Sequence, residues 1–373
     1  MKRAFVVSLL LLVYSYLIYP GVLFVLSRIL RRMWKRKDVE PYVSVVISAY
    51  NEEGVIREKV HNTLSLDYPT HKLEVIVSSD GSTDRTNEIV SGIEDPRLNF
   101  LAFPQRSGKT ACLNRIVPAA KGEIVVFTDA NSVLPPLVLR RIVRNFADSA
   151  VGLVTGWTKY RSPSGEEVPT GGYARYEKAL KIMESAGGSC VGADGAVFAI
   201  RKSLYRPLRD DDINDFVIPL DVIRQEQRVV LDPDVFCFEE ASEGAGNEFQ
   251  RQVRITTRTL WAIRRNRDML NPCKCGLFSF YLLSHKVMRF LSPYFFISTY
   301  LTNMALLGGR GVFRLIFLGE NLFLAGALGG FADGSGNPVL RLCRMLLVTF
   351  AAQGLAWVRM LAGLTDTMWS PRR

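Results

Sequence analysis

The stretch that most restricts how this chain can fold runs from Glu123 to Thr128 and empties into Asp129-Ala130-Asn131. The β-branched and aromatic side chains of its first part read as a buried strand. The run then stops abruptly in a carboxylate, a small residue and an amide. In open α/β sheets the carboxyl ends of the strands line the ligand crevice, so these oxygens stand where a ligand would bind. They suit a hard divalent cation sitting on phosphates. An Asx turn closing a strand would use the same residues, and the surrounding pattern has to separate the two readings.

That pattern is an alternation of short apolar strands with polar-faced helices. Strands are expected at Val43–Ala49, Leu73–Ser78, Leu98–Phe103 and Glu123–Thr128, with helices at Glu52–Leu66 and Lys109–Ala120 between them. Further strands are expected at Val151–Lys159, Ala196–Ile200 and Arg228–Phe238, and helices at Gly172–Ser185 and Phe216–Gln225. Such βαβα order predicts an α/β fold with a mixed, mostly parallel sheet covered by helices on both faces. Tyr50, Asp80 and Asp129 all fall at strand carboxyl ends and should line one crevice.

Outside this region the chain is apolar and basic. Ala4 to Leu26 holds no charged residue over 23 positions, enough for a bilayer, which takes ~20. A secretory signal has a shorter core and a small-residue cleavage site, so this run reads as a retained anchor. Arg28, Arg31, Arg32, Lys35, Arg36 and Lys37 follow it, against Lys2 and Arg3 before it, which orients residue 28 onward to the cytoplasm. Part of the formal net charge of +11 is thus assigned to lipid headgroups, and no aromatic-interleaved nucleic-acid motif appears. Glu248–Leu270 is helical in spacing with a basic stripe, the pattern of an interfacial helix. Three apolar runs near Val287–Leu307, Val312–Phe331 and Val339–Leu364 follow, giving an expectation of four crossings with both termini outside. The domain boundaries are then 1–37 for the anchor and basic segment, 38–246 for the cytoplasmic domain, 247–272 for the interfacial helix and 273–373 for the C-terminal membrane domain. The six cysteines are scattered, which predicts reduced thiols and no zinc site.

Common nucleotide and hydrolase motifs fail. Gly108-Lys109-Thr110 lacks the glycine of a Walker A loop, since Phe103 occupies that position. No Gly-x-Ser-x-Gly elbow or His-Glu-x-x-His helix is present. What remains is a series of acidic strand ends with a later acidic cluster. Taken in order, Ser48–Glu53, Ser79–Asp84, Arg106–Thr110 with Leu113-Asn114, Phe127–Asn131, Gly192–Arg201 and Asn214-Asp215 resemble the family-2 glycosyltransferases over about Tyr42 to Trp261. The flanking hydrophobic segments look like the membrane-bound branch with hyaluronan, chitin and poly-N-acetylglucosamine synthases.

The resemblance implies a Rossmann-like, A-type nucleotide-sugar-binding fold flanked by transmembrane helices, and a set of roles. Tyr50 and Glu52 would meet the base and ribose of the nucleotide-sugar donor, and Asp80 would accept from the base imide. Lys109 would approach the diphosphate. Asp129 would meet the ribose or a Mg2+ or Mn2+ ion. Asn131 stands where the family places a metal-binding aspartate, so the metal site is lighter by one charge. Gly192, Ala193 and Asp194 would form the acceptor loop, and Asp215 would be the general base of an inverting transfer. Processive members carry Gln-x-x-Arg-Trp; here Arg251–Ile255 keeps an arginine, Arg254, for the diphosphate and lacks the tryptophan. The expected protein is therefore a multi-pass inner-membrane hexosyltransferase using a UDP-sugar. It would add one or a few sugars to a saccharide or lipid-linked acceptor of the envelope, with membrane lipids and polysaccharide biosynthesis or export subunits as partners. A polyprenyl-phosphate sugar synthase and a non-catalytic export subunit are the alternatives.

Overall fold

The computed structural model describes residues 1–162, 164–168, 171–240, 245–309, 311–332 and 336–365. The chain divides into a sheet unit, 23–243 with 266–279, and a helical unit formed by 1–22, 244–265 and 280–365.

The sheet unit begins with β1 (Val43–Ala49), then α3 (Ile56–Leu64), β2 (Leu73–Asp80), α4 (Thr86–Ser91), β3 (Leu98–Phe103), α5 (Lys109–Ala119) and β4 (Ile124–Asp129). The strands β3, β2, β1 and β4 lie side by side in that order, all parallel. Their Val- and Ile-rich runs are buried on both faces, as a sheet sandwiched between helices requires. The edge strand β3 alternates between covered and exposed residues. Beyond β4 the chain forms α6 (Val138–Val143), β5 (Val151–Arg161), β6 (Glu167–Val168), α7 (Gly172–Gly187), β7 (Val197–Arg201), α8 (Asn214–Arg224) and β8 (Arg228–Glu240). β7 slots antiparallel between β4 and β5, and β8 runs parallel to β5. The expected mixed, mostly parallel sheet is therefore present. Ile56 and Val60 of α3, with Val138, Leu139 and Ile142 of α6, close one side over β1, β2 and β4.

The helix expected from Glu52 starts only at Ile56. The residues before it are drawn into a second task. Asn51, at φ +54°, accepts from the Thr83 N–H at 2.8 Å, and the Glu53 N–H donates to Asp84 at 3.1 Å. Two loops at neighbouring strand ends are thereby zipped together.

In the helical unit, α1 (Lys2–Val13) and the start of α2 (Tyr19–Leu30) are joined through a π-helical turn into one run, Lys2–Leu30. α9 (Ala245–Arg265) carries the basic stripe. After the short helices α10 (Pro272–Cys275), α11 (Leu277–Leu282) and α12 (Met288–Phe290) come α13 (Ser292–Met304), α14 (Gly311–Ala332) and α15 (Pro338–Leu361). The run near 287–307 is broken, and its helix α13 has 13 residues, about 20 Å at 1.5 Å per residue. Among the described residues, three helices are long and apolar enough to cross a membrane: Lys2–Leu30, Gly311–Ala332 and Pro338–Leu361.

Candidate active site

The crevice is built where β1, β2 and β4 end. Tyr50 follows β1, and the Arg106 guanidinium lies over its ring, 3.8 Å from the centroid. Glu52 is buried, and its backbone N–H donates to Thr86 at 2.8 Å. Asp80 closes β2, and its two oxygens accept from the backbone N–H groups of Ser107 (2.6 Å) and Gly108 (2.8 Å). That bond pair fixes the loop leading into α5. Gly108 stands at φ +91°, a conformation costly for any side chain, which turns its N–H toward the carboxylate. The carboxylate proposed from sequence for the base imide is thus engaged by the chain itself.

The next residue, Lys109, points its ammonium at Asp129, Nζ to Oδ1 2.5 Å. Two sequence candidates on different elements are in this way brought into one ion pair. Asn131 sits exposed on the turn after β4. The turn is tightened from behind by Ser132, whose hydroxyl donates to the Asp129 carbonyl at 2.9 Å.

Below that turn lies a group that sequence reasoning passed over. Lys59 of α3 is 2% exposed, and its ammonium donates to Thr128 Oγ1 (2.8 Å), the Ser132 carbonyl (2.6 Å) and Ser132 Oγ (3.4 Å). Burial pulls its pKa from 10.5 down to about 8, against the opposing charges of Asp129 and Glu239. The signal was available: Lys59 interrupts the apolar stripe of Ile56 and Val60 at helical spacing.

The opposite wall carries the acidic cluster. Asp215 is the second residue of α8, and its Oδ1 is buried without a hydrogen-bond partner among the described residues. Burial pushes its carboxyl above the ordinary carboxylate value, the cations Lys109 and Lys181 pull it back, and Asp129 and Asp194 add to the rise. Gly195 faces this carboxylate so closely that a Cβ there would stand 2.9 Å from Asp215 Oδ2. The loop before it is firmly held. Ala193 donates its N–H to the Asp215 carbonyl at 2.7 Å, and Lys181 of α7 donates to the Ala193 carbonyl at 3.2 Å. The Asp194 carboxylate accepts from the Thr158 N–H and hydroxyl, each at 3.0 Å, so it works inside the loop. Gly192 takes φ +77° beside Phe216. Asp212 is buried and its carboxylate accepts from the Arg209 N–H, which makes it a loop brace. Arg254 lies on α9, in the helical unit.

A mostly parallel sheet with a carboxylate-lined crevice at its carboxyl edge, closed by an antiparallel strand and a helix bearing a buried aspartate, is the architecture of the A-type nucleotide-sugar enzymes. The comparisons name the family. Residues 44–208 match the family model described as Glycosyl transferase family 2, and the chain carries a glycosyltransferase domain of that family. By this domain the protein is a glycosyltransferase. The poly-β-1,6-N-acetyl-D-glucosamine synthase of Staphylococcus aureus is 25% identical over 285 residues, 72% of this chain and 67% of that protein. The β-monoglucosyldiacylglycerol synthase of a Nostoc species is 34% identical over 118 residues, 31% of this chain and 25% of that protein, so the match spans about a quarter of its length. Among solved structures, a mannosyltransferase of Pyrobaculum calidifontis in complex with GDP-Man and Mn2+ superposes with a TM-score of 0.75 at 23% identity. It covers 96% of this chain and 98% of that one.

Proposed function

We propose that this protein is an inverting glycosyltransferase of the membrane. It moves a sugar from a nucleotide-diphosphate donor, a UDP-sugar, to a saccharide or lipid-linked acceptor in envelope or extracellular polysaccharide synthesis. The observation that carries the reading is the pairing of two sites across one crevice. On one side Lys109 and Asp129 form a charge pair at a strand end, and on the other Asp215 holds a buried oxygen with no hydrogen-bond partner among the described residues.

In this mechanism the donor lies along the carboxyl edge of β1, β2 and β4, with its base near Tyr50 and Asp80 and its ribose near Glu52. Lys109 leaves Asp129 for the diphosphate, to which its charge is better matched. Asp215 accepts the proton of the acceptor hydroxyl as that oxygen attacks the anomeric carbon from the face opposite the diphosphate. A base of this kind contributes roughly 10²–10⁴ in rate. Gly192, Ala193 and Asp194 shape the acceptor side.

The residues present fit a divalent cation shared with the substrate. Asp129 and Asn131 supply hard oxygen donors two positions apart, and the donor's phosphates supply others. No group of three His, Cys, Asp or Glu side chains is gathered as a preformed metal site among the described residues. When bound, Mg2+ or Mn2+ neutralises charge on the diphosphate. A single carboxylate makes this a light site, so Asn131→Asp should lower the Mn2+ concentration needed for half-maximal activity.

Support for the acceptor class comes from the relatives' names, one a saccharide polymerase and the other a glycolipid synthase. The test is transfer from radiolabelled UDP-sugars in washed membranes containing the full chain, with Mn2+ and with a chelator. Chelation should abolish transfer and Mn2+ restore it. If no donor gives either transfer or nucleotide release, the enzyme is not of this kind. Should Asp215→Asn remain fully active, the acceptor is a phosphate, which needs no base, and the polyprenyl-phosphate reading takes over.

A further inference from the structure

The segment after Leu30 lies along the sheet unit as an extended strap, and its bonds there are numerous. The Arg32 N–H donates to the Ala186 carbonyl at 2.7 Å, and the Lys35 N–H to Asp148 at 3.0 Å. Trp34 plants its indole N–H on Asn145 Oδ1 at 2.6 Å, and Lys37 donates its N–H to the Arg144 carbonyl at 3.1 Å. A segment that only tethered a domain to an anchor would need none of these.

One side chain connects this strap to the loop that follows α7. Arg228, at the start of β8, donates Nε to the Gly188 carbonyl (2.9 Å) and Nη2 to the carbonyls of Ser185 and Arg32 (2.8 Å each). Three backbone oxygens, from the strap, from the last turn of α7 and from the loop that follows it, converge on one guanidinium. Its planar fork meets several fixed acceptors at once, which a lysine cannot reproduce. From Gly188 the loop is pinned step by step: Cys190 N–H to the Val229 carbonyl (2.9 Å), Val191 N–H to Glu184 (2.9 Å), Ala193 N–H to the Asp215 carbonyl. Successive residues of the loop are thus tied to β8, α7 and α8, and Arg228 holds the first of these points, at Gly188.

We propose that Arg228 is a positioning residue that uses the strap as its anchor to set the loop Gly188–Asp194, and through it the fit of the acceptor against Asp215. The part concerning the acceptor rests on the proposed transferase reading; the link between strap and loop does not.

The experiment uses the full chain in detergent micelles, as wild type, Arg228→Lys and Trp34→Leu. Hydrogen exchange followed by mass spectrometry should show the peptide covering 188–194 exchanging about tenfold faster in Arg228→Lys, the scale expected for losing charge-assisted bonds. Trp34→Leu should speed the same peptide, and the double variant should give less than the product of the two effects. Peptides of β1 and β2 should stay unchanged. Unchanged protection of 188–194, or loss spread evenly over the sheet, overturns the proposal.

The kinetic arm uses UDP-N-acetylglucosamine with short N-acetylglucosamine oligosaccharides. Arg228→Lys should raise the KM for the oligosaccharide about tenfold while leaving the KM for UDP-N-acetylglucosamine and its slow hydrolysis as they were. Equal changes in both KM values would mean a merely structural arginine and also overturn the proposal. If the wild type transfers no sugar from any donor, the transferase reading fails, and the exchange result alone decides the link between Arg228 and the loop.

Discussion

At Asp215 the demands of folding and of the proposed catalysis pull in opposite directions. A carboxyl raised by burial binds its proton more tightly in the folded chain than in the unfolded one. The folded state therefore loses stability as pH climbs from the unfolded value through the raised one, and at neutral pH the ionised group is a net cost. A base, however, has to be ionised. Asp215→Asn should thus lower transfer by roughly 10²–10⁴ while raising the melting temperature at pH 7–8. Wild-type activity should fade on acidification at a higher pH than an ordinary aspartate would give, and thermal melts beside a pH–rate profile check both. Were melting temperature and activity to fall together, the carboxylate would be holding structure. That Asp215 stands at a helix start was legible from the sequence. That the carboxylate is closely faced was not, because Gly195, from a distant part of the chain, stands against its Oδ2.

At the scale of elements, the central strands β1, β2 and β4 were legible because each is a short apolar run buried on both faces, while helix starts depended on distant partners. The loop at 50–55 could not be separated from the helix by periodicity, since its geometry is set by Ser82, Thr83 and Asp84. The function of Asp80 in fixing the Ser107-Gly108 loop was invisible for the same reason. α3 shows what could have been read: a lysine on an apolar stripe needs a polar target inside, and Lys59 finds it at the turn after β4. Lys59→Met removes that link and leaves Thr128 and Ser132 short of a donor, which should destabilise the sheet unit by about 1–3 kcal/mol. The pH dependence adds a sign. With its pKa pulled from 10.5 to about 8, Lys59 is charged at a cost below pH 8, and the cost is relieved as pH rises through about 8 toward 10.5. The stability of the wild type relative to Lys59→Met should therefore increase over that window. Melting curves at pH 7.5 and 9.5 measure it, and a constant difference would show that the buried ammonium does not titrate there.

At the scale of the whole molecule the proposed membrane attachment is of two kinds, and they answer differently to salt. In the proposed attachment the basic residues between Arg28 and Lys37 and along α9 attract anionic headgroups, an interaction screened within ~3 Å at 1 M salt. The helices Lys2–Leu30, Gly311–Ala332 and Pro338–Leu361 hold by apolar burial, which salt does not weaken. The break between α12 and α13 in the run near 287–307 was not legible, because it does not show in an average of hydropathy. Three helices are still sufficient. With Leu, Ile, Phe and Val each favouring the bilayer centre by about 0.3–0.6 kcal/mol, a helix of this composition stays inserted when its charges are screened. Neither 1 M NaCl nor sodium carbonate at pH 11 should release the full chain from isolated membranes, while a mild detergent should. The readout is the share of chain in the pellet after ultracentrifugation. Release by salt would assign the attachment to the basic surface, and release by carbonate alone would mean that the apolar helices lie along the membrane instead of crossing it.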